Sequence, residues 1–205
     1  MTSALKGQRP SEARDRLLRT ASAIFYAKGI NSVGVEEIVS EARVTRATFY
    51  RHFPSKEDLI VAYLKATDDD VRAQVQAITE HQQPAQDTIR EIAAWIVGQI
   101  KSAEFRGCAF LNAAAEYPDA GSRVQQAVLD HRAWFQQVMQ TELERLRGEP
   151  AEAGAQFFVM IRDGAMAAGF LANRDAVCEV FMRGVEAMLT YRPIADSARK
   201  ARRRR

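Results

Sequence analysis

The 205-residue sequence contains only two cysteines, Cys108 and Cys178, too few for the disulfide framework of a small secreted protein. A long apolar run is also missing. The most apolar stretch, around 157–172, is interrupted by Arg162 and Asp163 and is shorter than the roughly 20 residues that cross a bilayer. The N-terminus shows no apolar signal region. These absences exclude secreted and membrane classes, and we expect a cytoplasmic protein without membrane contact.

Motifs for catalysis are missing as well. The sequence has no glycine-rich phosphate loop and no nucleophile elbow, and its three histidines (His52, His81 and His131) are far apart without metal-ligand spacing. No segment combines a nucleophile, a base and an oxyanion site. We therefore expect a protein that is not an enzyme and that carries no metal and no cofactor.

The charge is distributed unevenly. Residues 1–56 hold 10 Lys and Arg against 5 Asp and Glu, residues 57–191 hold 12 against 20, and residues 192–205 hold 7 against 1. A basic N-terminal part on an acidic body indicates binding to nucleic acid, although a mildly basic solvated surface has the same composition. The final run 199–205 is expected to be a solvated basic tail.

Apolar residues recur with a 3.6-residue period along most of the chain, and strand-like alternation is almost absent. The pattern predicts an all-α protein of about nine helices. The predicted helices cover 11–28, 35–42, 45–53, 56–78, 85–103, 107–116, 119–147, 151–172 and 175–191.

The helices 35–42 and 45–53 are too short to be stable alone and are joined by a tight turn. This spacing is typical of a helix-turn-helix, in which the second helix enters the major groove of DNA. A small structural bundle without DNA is the alternative. Thr45 is placed to cap the second helix and Arg46 to reach guanine. The side chains expected at the DNA are Arg43, Thr45, Arg46, Thr48, Tyr50, His52 and Lys56.

The stretch from Ala13 to Leu64 resembles the N-terminal domain of the TetR family of bacterial transcriptional regulators. The resemblance is most specific at Tyr50-x-His52-Phe53, followed by Lys56-x-x-Leu59. It implies an all-α homodimer that usually represses transcription and leaves double-stranded DNA when a small molecule enters the C-terminal body. The corresponding domains are a DNA-binding domain at 11–71 (helix-turn-helix at 34–53), a ligand-binding and dimerisation domain at 72–192, and a basic tail at 193–205.

Two positions depart from the family pattern. Arg43 stands in the turn where the family usually has glycine, and a positive φ there costs a non-glycine residue about 1 kcal/mol. Contact with a phosphate is one compensation, and a slightly different turn is the alternative. Gly34 stands where Ser or Thr commonly caps the first helix of the motif and meets a phosphate.

The helices 151–172 and 175–191 predict a dimer seam, because the first is apolar nearly all round and both carry small residues that permit close approach. The interior of a single chain is the alternative. The predicted dimerisation residues are Phe157, Met160, Gly164, Leu171, Val177, Phe181, Gly184 and Met188.

A ligand cavity is a weaker expectation, since each candidate is equally suited to the core. The candidates combine aromatic or apolar side chains with two polar ones: Trp95, Phe110, Asn112, Trp134, Phe158, Arg162 and Met166. Cys108, near Arg106 and a helix start, suggests a thiol sensor, with a buried structural cysteine as the alternative.

The sequence thus predicts a sequence-specific regulator, a repressor of the bacterial cytoplasm that binds a palindromic operator as a homodimer and responds to an unknown small molecule. The alternative is an adaptor of the same fold that acts mainly through protein–protein contacts.

Overall fold

A computed structural model of the chain describes residues 11–148 and 150–190. Within these ranges it has nine α-helices and no strand, which confirms the predicted fold class. Each helix begins and ends within four residues of its predicted bounds. The helices are α1 Glu12–Lys28, α2 Val35–Glu41, α3 Arg46–His52, α4 Lys56–Thr79, α5 Ala85–Lys101, α6 Ala109–Glu116, α7 Arg123–Arg147, α8 Glu152–Leu171 and α9 Arg174–Thr190.

Side-chain caps set the starts of α3 and α4. The Thr45 hydroxyl accepts a hydrogen bond from the Thr48 N–H at 3.1 Å. The Ser55 hydroxyl accepts one from the Asp58 N–H at 3.1 Å and donates to the Asp58 carboxylate at 2.7 Å. Both caps were predicted from the spacing of these residues, and each satisfies an N–H that the helix itself leaves without a partner.

The chain divides into two compact units. The first unit contains the residues up to Glu80 and Arg106–Phe135, so it includes α1 to α4, α6 and the start of α7. In it, α1 packs against α2, α3 and α4, and α4 also contacts α6. The interior of this unit is apolar, and its fully buried side chains include Leu17, Ile38, Phe49, Leu59 and Leu64.

The second unit contains His81–Phe105 and the residues from Gln136 onward. Its α8 and α9 pack along each other, and both contact α5. A Cβ atom at Gly169 would lie 2.7 Å from Cγ2 of Ile100, so the approach of α8 to α5 requires glycine there. The Arg90 guanidinium of α5 binds the Glu186 carboxylate of α9 through two hydrogen bonds, of 2.7 and 2.9 Å.

This division differs from the domain boundary predicted after residue 71, which falls inside α4. The reason is that α6 and the start of α7 pack in the same unit as α1 to α4. The functions assigned to 11–71 and 72–192 remain predictions. The predicted basic tail at 193–205 lies outside the described residues.

Candidate nucleic-acid interface

The turn between α2 and α3 has the backbone conformation that the sequence suggested. Arg43 has φ of +51°, in the left-handed region that favours glycine. The turn is closed by hydrogen bonds from the Arg43 N–H to the Ser40 carbonyl at 3.1 Å and from the Val44 N–H to the Val39 carbonyl at 3.0 Å. The Arg43 side chain is exposed, and the strain lies in the backbone of the residue that carries it.

Gly34 is the N-cap residue of α2, with extended backbone at φ −89° and ψ 162°. No heavy atom would lie within 4 Å of a Cβ atom at this position. The place where the family commonly has Ser or Thr is thus open, and α2 starts without a side-chain cap.

One side of α3 is buried and the other is exposed. Phe49 is fully buried and anchors the helix in the first unit. Thr45, Arg46 and Tyr50 are exposed, as their predicted role requires. Sequence reasoning missed Ala47 and Arg51, which are also exposed on α3. Their four-residue spacing, which puts both on one face of a helix, was the signal that could have identified them.

Arg46 is held between two neighbours. Its Nη1 atom lies 2.8 Å from Oε1 of Glu36, in the first turn of α2. Its guanidinium carbon lies 5.8 Å from the ring centroid of Tyr50, one turn further along α3. The exposed end of α3 thus presents the Arg46 guanidinium beside the ring and hydroxyl of Tyr50, and these groups suit contact with base edges and phosphates.

Thr48 and His52 are half-buried and already have partners in the first unit. The Thr48 hydroxyl lies 3.0 Å from that of Thr45, which brings the two predicted contacts together. Nε2 of His52 lies 3.3 Å from the Ser11 hydroxyl, so His52 is located beside the start of α1.

Lys56 has its contacts on the loop after α1 in this structure, and its predicted contact with DNA stays a prediction. Its ammonium group donates a hydrogen bond to the Ile30 carbonyl at 2.7 Å and lies 5.9 Å from the Phe25 ring centroid. Burial lowers the pKa of Lys56, and the nearby Glu116 carboxylate partly offsets this effect. The Ile30 carbonyl also accepts a longer hydrogen bond from the Val33 N–H at 3.4 Å, so Lys56 supplies its shorter and charged donor. The contact joins residues 26 positions apart, and the sequence does not indicate it.

Comparison with known proteins agrees with this geometry. Residues 17–63 match the family model described as bacterial regulatory proteins of the tetR family. A crystal structure of a TetR-family transcriptional regulator from Streptomyces coelicolor has 51% sequence identity and a TM-score of 0.85, over 87% of this chain and 94% of that one. The chain belongs to the TetR family. It is a DNA-binding transcriptional regulator and not an enzyme, as its relatives are named regulators.

Other relatives of this TetR-family regulator are more distant. The transcriptional regulator TcmR from Streptomyces glaucescens is 29% identical over 103 residues, which are 50% of this chain and 45% of TcmR. The chain aligns with less than half the length of TcmR and with 18% of the length of a second relative, the regulator YuxN from Bacillus subtilis. The regulator CifR, solved as a cysteine mutant with 26-base-pair operator DNA, shares the fold with a TM-score of 0.75 and 19% identity, over 88% of this chain and 99% of that one.

The candidate ligand residues are distributed over both units. In the first unit, Phe110 is buried and stacks on the His131 ring with centroids 3.6 Å apart. The Arg72 guanidinium lies 4.3 Å from the ring centroid of Trp134, which is half-buried. Asn112 is exposed, and its amide donates to the Arg106 carbonyl at 3.1 Å, so it lies outside this aromatic cluster.

The same cluster contains an ion pair that the sequence did not reveal. Nδ1 of the buried His131 lies 2.7 Å from the Asp68 carboxylate, which also binds Nε of Arg72 at 2.6 Å. Burial alone would raise the pKa of Asp68, but the hydrogen bonds from His131 and Arg72 outweigh it and lower that pKa.

In the second unit, Phe158, Arg162 and Met166 are buried on α8, and Trp95 is half-buried on α5. Nη1 of Arg162 lies 3.0 Å from the Asp163 carboxylate, which compensates its charge. These four residues remain predicted ligand contacts, and all are equally consistent with a packed core.

The predicted dimerisation residues of α8 form an exposed apolar stripe. Phe157, Met160 and Leu171 are 39%, 60% and 81% exposed, and Gly164 lies in open space between them. An apolar stripe of this kind is unusual on a monomer surface.

The predicted dimerisation residues of α9 are not exposed in the single chain, and their role in a dimer stays a prediction. Phe181 and Met188 are buried in the single chain, and the Phe181 ring lies 6.0 Å from that of Phe158. Gly184 faces Ile161, and Val177 is half-buried. Phe181 and Gly184 thus face α8, whereas Val180 is the exposed large apolar residue of α9. The exposed side of α9 carries charged residues, among them Glu179 and Arg183, beside the apolar Val180.

Both cysteines are buried, and burial raises the pKa of Cys178. Among the residues that the structure describes, no group of His, Cys, Asp and Glu side chains is arranged to hold a metal ion. No helix within the described ranges combines the length and apolar character that crossing a membrane requires.

Proposed function

We propose that this TetR-family regulator is a homodimeric repressor that binds a palindromic operator and releases it when a small molecule binds. The observation that carries the proposal is the exposed face of α3, where Thr45, Arg46 and Tyr50 stand together with Arg43 at the preceding turn. Arg46 is the proposed base reader, since an arginine can donate two hydrogen bonds to guanine. Thr45, Tyr50 and Arg43 are the proposed phosphate contacts.

Dimer formation is supported by the α8 stripe, to which Val180 on α9 adds a further exposed apolar side chain. A two-fold dimer would bring two copies of α3 to successive major grooves about 34 Å apart, which explains why a palindrome is expected. The structure of CifR, which shares this fold, contains operator DNA and supports operator binding as the proposed function. A regulator of this kind works where the bacterial chromosome is, and we propose the cytoplasm as its location.

The dimer is tested by Met160→Glu, which places a charge in the middle of the stripe. Sedimentation should show a monomer at concentrations where the wild type is a dimer, because an unpaired charge is costly inside an interface. Gln137→Glu, an exposed position on α7, is the matched control and should remain a dimer. A dimeric Met160→Glu protein would place the interface elsewhere.

Operator binding is tested by an unbiased DNA selection with purified protein at about physiological salt, where nonspecific attraction is weak. A palindrome is the expected result, and Arg46→Ala should relax its sequence at one base pair of each half-site by about 10-fold or more. Recovery of no motif by a folded dimer would contradict the proposal and would favour an adaptor that acts through protein contacts.

Effector release is tested with the selected operator as the probe in a small-molecule displacement screen. A compound that displaces the wild type should lose potency with a variant of its binding site. Trp134→Ala in the first unit and Phe158→Leu in the second are tested separately, and each needs a thermal unfolding control because both side chains contribute to packing. If a compound displaces the operator with the same potency from the wild type and from both variants, neither Trp134 nor Phe158 contributes to its binding site.

A further inference from the structure

Glu36 forms the nearest anionic contact of the proposed base reader. The distance between its Oε1 and Nη1 of Arg46 is 2.8 Å, and the two side chains are 68% and 62% exposed. The pair connects the first turn of α2 to the first residue of α3. The Arg46 guanidinium also lies 5.8 Å from the centroid of the Tyr50 ring, so two neighbours limit the position of the cation.

Stability does not explain this pair. Ion pairs between exposed side chains contribute little to folding, because water and salt screen them. A carboxylate beside a DNA-facing arginine has other consequences. It repels phosphate oxygens, and it restricts the rotamers of the arginine before DNA arrives, which reduces the cost of ordering the side chain on binding.

The chemistry of arginine allows both contacts at once. The guanidinium has five N–H donors, and a guanine base uses two of them. A carboxylate can therefore remain on one edge of the guanidinium while the other edge binds the base. A phosphate on that other edge would be repelled by the negative charge of the carboxylate, whereas a neutral guanine edge would be repelled much less.

We propose that Glu36 is a specificity-determining residue of this regulator: it positions Arg46 for a base edge and disfavours the alternative contact of Arg46 with phosphate. The inference rests on the proposed role of Arg46 as a base reader. It assigns to an acidic residue on α2, which the family resemblance did not include among the DNA contacts, a share in the choice of operator.

The direct test is Glu36→Gln, which keeps the size of the side chain and removes its charge. Affinity for a scrambled duplex should rise about two- to fivefold, the range expected for one exposed charge contact. Discrimination at the base pair read by Arg46 should fall by a similar factor. A change in charge alone would strengthen binding to all sequences equally. A loss of base discrimination together with stronger binding to the scrambled duplex therefore indicates a role of Glu36 in specificity.

Glu37→Gln is the matched control. Glu37 lies in the same first turn of α2 and loses the same charge, but its carboxylate pairs with Lys28 and not with Arg46. This variant should leave the base preference unchanged. Circular dichroism and thermal unfolding would verify that both variants keep the fold.

The experiment is a DNA selection, followed by titrations of the best operator and a scrambled duplex, with wild type, Glu36→Gln, Glu37→Gln, Arg46→Ala and the Glu36→Gln/Arg46→Ala double variant. We expect Glu36→Gln to weaken the base preference at the same base pair as Arg46→Ala does. The double variant should have the same base preference as Arg46→Ala. An unchanged base preference in Glu36→Gln, or the same relaxation in Glu37→Gln, would overturn the inference. If Arg46→Ala itself changes no base preference, the base-reading role fails first and the role of Glu36 fails with it.

Discussion

The carboxylate of Glu116, the last residue of α6, accepts a hydrogen bond from the backbone N–H of Ile30 at 2.9 Å, although 86 positions separate the two residues. Its second oxygen accepts one from the Asn31 N–H, and Lys56 of α4 donates to the Ile30 carbonyl. The loop from α1 to α2 is therefore held by a carboxylate on α6 and an ammonium group on α4. Because α2 begins at Val35, this contact helps to set where the helix-turn-helix starts.

Glu116→Ala should lower the free energy of unfolding by about 1–3 kcal/mol, because Ile30 is buried and its N–H would lose a charged acceptor. Urea denaturation measures this loss, and hydrogen exchange should become faster at the Ile30 amide. Asp130→Ala, an exposed acid on α7 in the same unit, is the control and should change stability by less than about 0.5 kcal/mol. Unchanged exchange at Ile30 in Glu116→Ala would show that the loop does not depend on this carboxylate.

Lys56→Met tests whether the ammonium group acts on the loop or on DNA. We expect the free energy of unfolding to fall by about 1 kcal/mol, since the Ile30 carbonyl loses its charged donor and keeps only the longer hydrogen bond from Val33. The salt dependence of operator binding should stay the same, because a phosphate contact contributes a slope of about 0.9 and Lys56 is directed to the loop. A slope reduced by that amount would restore the phosphate contact predicted from the sequence.

Arg43→Gly should change stability and DNA binding in opposite directions. Glycine relieves the positive φ of +51°, which should raise the free energy of unfolding by about 0.5–1 kcal/mol after its larger entropy in the unfolded chain is included. Loss of the guanidinium should weaken binding to all sequences and reduce the salt slope by about one. Arg43→Ala separates the two effects, because it removes the charge and keeps the strain. Equal free energies of unfolding for Arg43→Gly and Arg43→Ala would show that the positive φ at this position does not destabilise the fold.

Features with a local cause were predictable from the sequence. The caps at Thr45 and Ser55 depend on residues within three positions, and the structure has both. The positive φ of Arg43 was suggested by the glycine that the family usually has there, and a different turn was left open. Contacts between distant segments were not predictable. The pair of Asp68 and His131 joins residues 63 positions apart, and neither helix pattern indicates its partner.

The same distinction applies to the site. The exposed residues of α3 follow from helical spacing, since burial of Phe49 determines which face remains outside. The partners of those residues do not follow from spacing. Glu36 contacts Arg46, and Lys56 contacts Ile30, because the packing of the helices brings these residues together. A long flexible side chain can reach several partners, and the sequence alone does not show which one it contacts.

Asp68→Asn should destabilise the protein in a pH-dependent manner. The pKa of Asp68 is lowered in the folded state, so its ionised form stabilises the fold above the ordinary carboxyl pKa of about 3.9, and this contribution is lost as the pH falls through the lower folded value. Near pH 6 the variant should lose about 1–3 kcal/mol, because the buried His131 and the Arg72 guanidinium lose their charged partner. Below about pH 4 the difference from the wild type should shrink.

Urea denaturation of both proteins at pH 6 and pH 3.5 measures this difference. Asp69→Asn is the matched control on the same helix, since Asp69 forms only an exposed pair with Lys65 at 3.0 Å. It should cost less than about 0.5 kcal/mol at either pH. A destabilisation by Asp68→Asn that is equal at both pH values would mean that the carboxylate acts through packing and that its charge contributes nothing to the pair with His131.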